Sequence, residues 1–527
     1  MNIFLKHNSG FKWQTKNTIS FKGYFYVDDL FYEKDNALNY LLNIKCFKQF
    51  LKKVTGVFTI LKKDNNSLII INDITRSFPI FYAKNKKEYF FSDDIYFLQT
   101  QLETIEFDPF SEIELKASNH VYGTKTLVKN VYQTQSSEYL IFDNNELKEQ
   151  TFYYNYSIKK ESNSSLIELK EEAISSIENS FKRLVKSLDQ KTIVIPLSGG
   201  FDSRLIATML KKHQHKNVIC YTYGRKDSFE IKNSKRTATA LGFKWYFIEY
   251  NAALIDNYLH SDDFKEFSKF SGKLSSMPNL QEYFAVKYLT EQQLIPTNAV
   301  FISGYAGDLL GGSQYLKVIP KKLKHNDIVD LIISKKIINS SISVGHKKEL
   351  KKNIHQGLLS FDANYLDKKP ASVFEDFDIK EKIAKYIFNS ASFYNFFGYE
   401  FRFPFWDKEV LDFFKKVPAE LKLMKTFFDD VLINEYFKKY NVYFESELQP
   451  TELKIKTQKI KDIIKPFLPN FIKKKILQKN DWNNYQPITN QMLLAMKKND
   501  LKVARKYKDY NEIITQWYIY NSKNMIK

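Results

Sequence analysis

Residues 193–205 read IVIPLSGGFDSRL, and this stretch decides the fold. Ile193, Val194 and Ile195 are β-branched and lead through Pro196 to Leu197, an apolar run of strand length. Ser198, Gly199 and Gly200 then make a turn, and from Phe201 the pattern becomes helical. A strand that ends in a glycine turn and feeds a helix is an anion site. The glycines let the backbone turn sharply and approach a ligand, while the first amides of the helix and the hydroxyls of Ser198 and Ser203 can donate to phosphate oxygens. Asp202 has the wrong charge to bind phosphate itself; its natural use there is to hold a divalent cation that grips the phosphates. The stretch therefore predicts a magnesium–nucleotide site. It lacks the GxxxxGK pattern followed by Ser or Thr, so it is not the phosphate loop of kinases and many ATPases.

Outward from this loop, short apolar runs alternate with helical ones: TIVIPL, SRLIATMLKKH, NVICYTYG, SKRTATALGF and KWYFIEY. That alternation predicts βαβ units and a parallel sheet, whose ligands sit beyond the carboxyl ends of the strands. From about residue 254 the chain reads as mostly helical, with one more strand at AVFISG. Upstream, a helix is expected over residues 166–188, after a Ser/Asn-rich break that places a domain boundary near 155–168. Before it, SFKGYFYVDD, GVFTILKKDNNSLIIINDITRSFPIFYAKNKKEYFFSDD, HVYGTKTLVKN and EYLIFDNNELKEQ read as strands joined by tight turns, with DNN and KNKK at hairpin positions. An antiparallel sheet domain is the expectation.

The 527 residues, 43% hydrophobic and with 45 Phe and 34 Tyr, exclude a disordered or collagen-like chain and suggest more than one domain. No run of 18 apolar residues and no signal-like N-terminus are visible, so a cytoplasmic protein without membrane contact is expected. Cys46 and Cys220 are too few for a disulfide framework or a thiolate metal cluster. The net charge of +20 comes mostly from lysines scattered along the whole chain, so nucleic acid is not the expected partner.

SGGFDS resembles the SGGxDS loop of the PP-loop ATP pyrophosphatases, which activate a carboxyl or carbonyl group by adenylation. AVFISGYAGDLLGGSQY is similar to the second nucleotide motif of the asparagine synthetase family, SGxGxDxxxGGY, and EFRFPFWDKEVLDFFKKVP to its ExRxPFLD segment. In the front part, VTGVFTI, NDITRSFPIFY and YFFSDD resemble the signposts of that family's glutamine amidotransferase domain. The resemblance implies an α/β + α+β chain. Residues 1–160 would be an Ntn-type antiparallel amidotransferase-like domain, and 165–527 a PP-loop parallel-sheet domain with a helical C-terminal half.

It further implies ATP and Mg2+ as cofactors. Leu197, Ser198, Gly199, Gly200, Asp202 and Ser203 would hold ATP, Ser303 and Gly304 would sit beside its ribose and base, and Asp202 and Asp308 would share the metal. Read without the family, Asp308 could be a helix cap, and Gly311 and Gly312 close packing. The family's glutaminase nucleophile is a Cys at position 2; Asn2 stands there, so no glutaminase activity is expected. The nitrogen donor would be ammonia or an amine and the acyl donor a small carboxylate, with a homodimer left open. Tyr305 occupies the slot where asparagine-forming members carry Glu and β-lactam synthetases carry Tyr. A phenol there could deprotonate an amine if a carboxylate oriented it, or could be mere pocket wall. Asn389 and Ser390 stand where that acid is expected, so no partner is evident. Lys454 and Lys456, with Lys459, are the candidates for a lysine that stabilises charge on the triphosphate. Arg402 reads as a buried structural cation. The alternatives are a PP-loop enzyme of tRNA modification and a catalytically inactive scaffold.

Overall fold

A computed structural model of the chain describes residues 1–315, 323–337, 342–444, 468–498 and 509–526. The parallel sheet has the order Lys244–Glu249, Val218–Gly224, Ile193–Pro196, Val300–Ile302, Glu400–Arg402. Every neighbouring pair in it runs parallel. The last strand is a correction: EFR, read only as part of a motif, pairs Phe401 with Phe301 and extends the sheet. Three residues are too short for periodicity to mark them, and the strand exists only because the Val300–Ile302 edge is there to receive it.

Isoleucines and valines carry the central strand because both of its faces are covered. The Leu166–Lys186 helix begins as its sequence directs: Ser165 accepts from the Glu168 amide while Glu168 reaches back to the Ser165 amide.

The front part holds two sheets. One runs Asn2–Phe4, Glu88–Ser92, Phe81–Asn85, Val131–Gln133, and the other is built around Ile19–Val27, Thr55–Asp64, Ser67–Asn72, Glu138–Asp143 and Glu146–Phe152. All pairs are antiparallel except Asn2–Phe4 with Glu88–Ser92. The expected hairpin turns at DNN and KNKK are present, with Asn65 and Lys86 in the left-handed region. HVYGTKTLVKN is not a strand. It forms a loop held by the isolated bridges Phe107–Val128 and Lys125–Tyr132 within the front part and His120–Ser276 to the second half of the chain, so no single neighbouring strand pairs along it. Helices Lys34–Leu42, Phe47–Lys53 and Pro109–Ser118 interrupt the strand pattern read from the sequence and cover the sheet with Leu38, Leu41, Phe50, Leu51 and Leu115.

The main core runs from Phe11, Tyr24 and Phe78 of the front part through the parallel sheet to Phe403 and Trp406. Arg402, fully buried, pairs with Glu400 at 3.2 Å and lies 4.1 Å from the centre of the Tyr24 ring, the structural role its setting suggested.

Gly224 closes the Val218–Gly224 strand at φ +118°, and a Cβ there would lie 2.4 Å from the Trp482 carbonyl oxygen. That carbonyl accepts the Arg225 amide at 2.8 Å and so ties the C-terminal segment to the sheet. Gly224→Ala is therefore expected to destabilise this part of the protein by about 1–3 kcal/mol, through a strained φ and a displaced carbonyl. A urea titration followed by circular dichroism checks it: an unchanged midpoint would mean that the segment moves aside without cost.

Candidate active site

The loops after the Ile193–Pro196 and Val300–Ile302 strands face each other at the C-terminal end of the sheet, across a cleft of about 460 Å3. Leu197, Ser198, Gly200, Asp202, Ser203, Ser303, Gly304, Tyr305 and Asp308 all line it. The described residues expected to hold ATP and the metal, together with Tyr305, are thus brought to one cleft, with Gly199 in the same loop.

The first loop is folded on itself by its serines. The Ser198 amide donates to Ser203 Oγ at 3.1 Å, the two hydroxyls lie 3.1 Å apart, and the Gly200 amide donates to Ser198 Oγ at 3.1 Å. From behind, Thr222 donates to the Leu197 carbonyl at 2.7 Å and Arg204 to the Gly199 carbonyl at 2.7 Å. The two loops touch because the second one lacks side chains. A Cβ on Gly304 would lie 2.9 Å from Asp202 Cβ, and one on Gly307 would lie 2.9 Å from Asp202 Cγ.

The Asp308 amide donates to Asp202 Oδ2 at 2.9 Å, which sets the two aspartates side by side. Asp202 Oδ1 is buried with no hydrogen-bond partner among the described residues. Burial first, and then the Asp308 charge, push the Asp202 carboxyl up to about 7. An orphaned carboxylate oxygen beside a second acid is chemistry that suits a hard cation such as Mg2+, although among the described residues no group of three or more His, Cys, Asp or Glu side chains forms around it. Asp308 does not act as a helix cap: the helix it begins, Gly307–Leu310, has Ala306 at its N-cap, in the left-handed region at φ 53°.

Lys454, Lys456 and Lys459 lie outside the described residues. Among the described residues, the lysine that lines the cleft is Lys425, which no sequence motif marks. It stands 5.8 Å from the centre of the Phe201 ring and 3.5 Å from Asp429. Its φ of 62° places it at a left-handed corner before the Thr426–Leu432 helix, a placement that sequence spacing does not encode. Asn483, from the segment that Gly224 anchors, closes another edge.

Tyr305 does have a carboxylate partner, and it is not in the segment where one was sought. Its hydroxyl donates to Glu282 Oε1 at 3.2 Å; Tyr394 and Tyr221 each donate to Glu282 Oε2 at 2.7 Å. Tyr305 and Tyr394 Oη are 3.3 Å apart, and Trp406 Nε1 holds the Tyr305 carbonyl at 3.1 Å. Burial raises the Glu282 carboxyl above its ordinary range, with the three phenols pulling it back. Burial and then the Glu282 charge raise the Tyr305 phenol. Glu282 is the N-cap of the Tyr283–Glu291 helix, and an acid at a helix start is ordinary, so nothing in MPNLQEYF marks it. Asn389 instead meets Lys273 at 3.2 Å, and Ser390 accepts from Asn279 at 2.6 Å.

Residues 176–432 match the family model described as asparagine synthase. This stretch is an asparagine synthase-family domain. The family is one of ATP-dependent amide-forming ligases. Among solved structures, the chain is similar to an NH3-dependent NAD synthetase from Campylobacter jejuni, at 15% identity and a TM-score of 0.21, over 37% of this chain and 96% of that one. It is also similar to a predicted subunit of tRNA methyltransferase from Methanocaldococcus jannaschii, at 20% identity and a TM-score of 0.15, over 31% of this chain and 74% of that one. No curated protein matches the chain. Both loops of the cleft and the Tyr305–Glu282 pair lie inside the asparagine synthase domain, and Lys425 stands near its end. Among the described residues, no helix is long and apolar enough to cross a membrane.

Proposed function

We propose that the protein adenylates a small carboxylate with ATP and passes the acyl group to ammonia or an amine, releasing AMP and pyrophosphate. The observation that carries this reading is the meeting of the two loops: the serine- and amide-lined turn at 198–203 and the Asp202–Asp308 pair face one cleft. Ser198, Ser203 and the loop amides would hold the phosphates, while Ser303 and Gly304 would flank the nucleoside. Asp202 and Asp308 would hold Mg2+, which when bound neutralises charge on the phosphates. Lys425 is placed to add a fixed positive charge on the same side.

The acceptor half of the reaction falls to Tyr305. Its hydroxyl proton is committed to Glu282, so its oxygen lone pairs are free to accept a proton from the attacking amine while the phenolic proton moves toward the carboxylate. Glu282 is buried and its proton affinity is raised, which suits it to the receiving end. The front part, residues 1–160, would then be an amidotransferase-like domain without glutaminase activity. Asn2, at its first strand, donates to Glu88 at 3.0 Å and offers no nucleophile.

Pyrophosphate release from Mg-ATP tests the reading, with aspartate plus ammonia, aspartate plus glutamine, and a panel of other carboxylates and amines. Release with aspartate and ammonia but not glutamine would identify an ammonia-dependent asparagine-forming enzyme. Release only with another carboxylate would move it to a specialised amide ligase. Silence across the panel would count against adenylation and favour the scaffold.

A further inference from the structure

Two adjoining cavities lie where the front sheets meet the helical half, away from the nucleotide cleft. The larger, about 690 Å3, is lined by Lys6, His7 and Tyr96 from the front and by Phe270, Lys273 and Phe396 from the helical half. The smaller shares His7, Asp93, Phe270 and Lys273 with it and adds Lys22. Lys22 is only 4% exposed; its ammonium donates to the His7 carbonyl at 2.7 Å and otherwise faces the Phe78 and Trp13 rings at 5.0 and 5.8 Å. Lys273 donates to Asn389 at 3.2 Å and faces the Phe270 ring at 5.5 Å.

Elsewhere in this region, buried lysines are matched by carboxylates. Lys380 meets Asp376 at 2.5 Å, Lys385 meets Glu381 at 2.7 Å, and Lys422 meets Glu375 at 3.1 Å. That is what low dielectric demands of a buried charge. Lys22, buried, and Lys273, half-buried, break the pattern, since among the described residues neither forms an ion pair with a carboxylate. Asp93, whose charge acts on both, accepts instead from the amides of Lys6 and His7 at 2.7 and 3.1 Å and from the Trp13 indole at 2.7 Å. Burial lowers Lys22 to about 8. Burial, and then Arg76 and Lys22, lower Lys273 to about 7. The backbone is bent to put Lys273 there: Lys273 and Leu274 are successive left-handed residues at φ 49° and 47°, and the Tyr518 hydroxyl and the Leu127 amide pin Leu274 at 2.8 and 2.7 Å.

We propose that this seam binds a small multivalent anion, a carboxylate or a phosphate, whose charged end sits between the ammonium groups of Lys22 and Lys273 and whose body lies in the wider cavity. The anion adds a direct ion pair to two lysines that otherwise feel only the negative charge of Asp93, which lines both cavities. Because both walls contribute, its binding also joins the front part to the asparagine synthase domain.

Isothermal titration of the full chain with inorganic phosphate and, separately, with citrate tests the proposal. At least one probe is expected to bind with a Kd below about 1 mM. Lys273→Gln and Lys22→Gln are each expected to weaken that binding about tenfold or more, and Asp202→Asn to leave it unchanged. Phosphate alone binding would assign a phosphate ligand, and citrate alone a carboxylate one. No binding to the wild type at about 10 mM, or equal binding to Lys273→Gln, would overturn the proposal. If Lys22→Gln fails to fold, Lys273→Gln decides, and amine acylation followed by mass spectrometry gives a second readout. Bound probe is expected to slow labelling of Lys273, and an unchanged rate would count against the site.

Discussion

Asp202→Asn is expected to lower pyrophosphate release by about three orders of magnitude while leaving the protein at least as stable as the wild type. The two effects have one cause. Asp202 is buried against Asp308, and nothing among the described residues satisfies its Oδ1. Burial and the like charge already push its carboxyl up to about 7, so the folded protein bears a cost for keeping it ionised. Asparagine fills the same volume and keeps an oxygen for the Asp308 amide, but it removes the charge that a magnesium–nucleotide complex requires. Pyrophosphate release and thermal unfolding, measured on the same preparation, check both halves. A variant with full activity would remove Asp202 from the site, and a variant that loses activity because it unfolds would make Asp202 a structural residue. The metal-free wild type melting below the variant is the signature of a site strained for function.

Tyr305→Phe is expected to separate the two halves of the reaction. Adenylation, followed as carboxylate-dependent pyrophosphate release, should change no more than a few-fold, while amide formation falls by about 10²–10⁴. The phenyl ring keeps the packing on Phe388 and Phe403, with centroids 6.5 and 6.1 Å away, so only the hydroxyl and its bond to Glu282 are lost. Glu282→Gln should give the same separation, because an amide cannot take the proton. It should also cost about 1–3 kcal/mol of stability, since Tyr221 and Tyr394 lose a charged acceptor. If both variants form product at the wild-type rate, Tyr305 is pocket wall and Glu282 a buried anchor for three phenols. If both halves fall together, the pair serves the cleft's shape and not the acceptor step.

The strand, glycine turn and helix of 193–205, the alternation that makes the parallel sheet, and the hairpin-rich front part were all legible in the residues. Each of these is local: IVIPL needs only its own β-branched residues to read as a strand, SGG needs only its glycines to turn, and Ser165 and Glu168 cap their helix within four residues. Asp202 and Asp308 were legible for the same reason, because each lies just beyond an apolar run that must be a strand of that sheet.

Only the tertiary structure decided what depends on distant segments meeting. Glu282 looks like any acid at a helix start until three tyrosines from other elements converge on it. Lys425 looks like one lysine among many until a left-handed corner turns it toward the cleft. The Glu400–Arg402 strand forms because a sheet edge awaits it, and HVYGTKTLVKN remains a loop because its contacts are isolated bridges to separate segments of both halves of the chain. Lys22 and Lys273 are ordinary in sequence, 251 positions apart by the difference of their numbers, and become unusual only when folding brings both to one cavity. Burial and long-range pairing set the charge state and the partners of a side chain, and neither is written in the residues next to it.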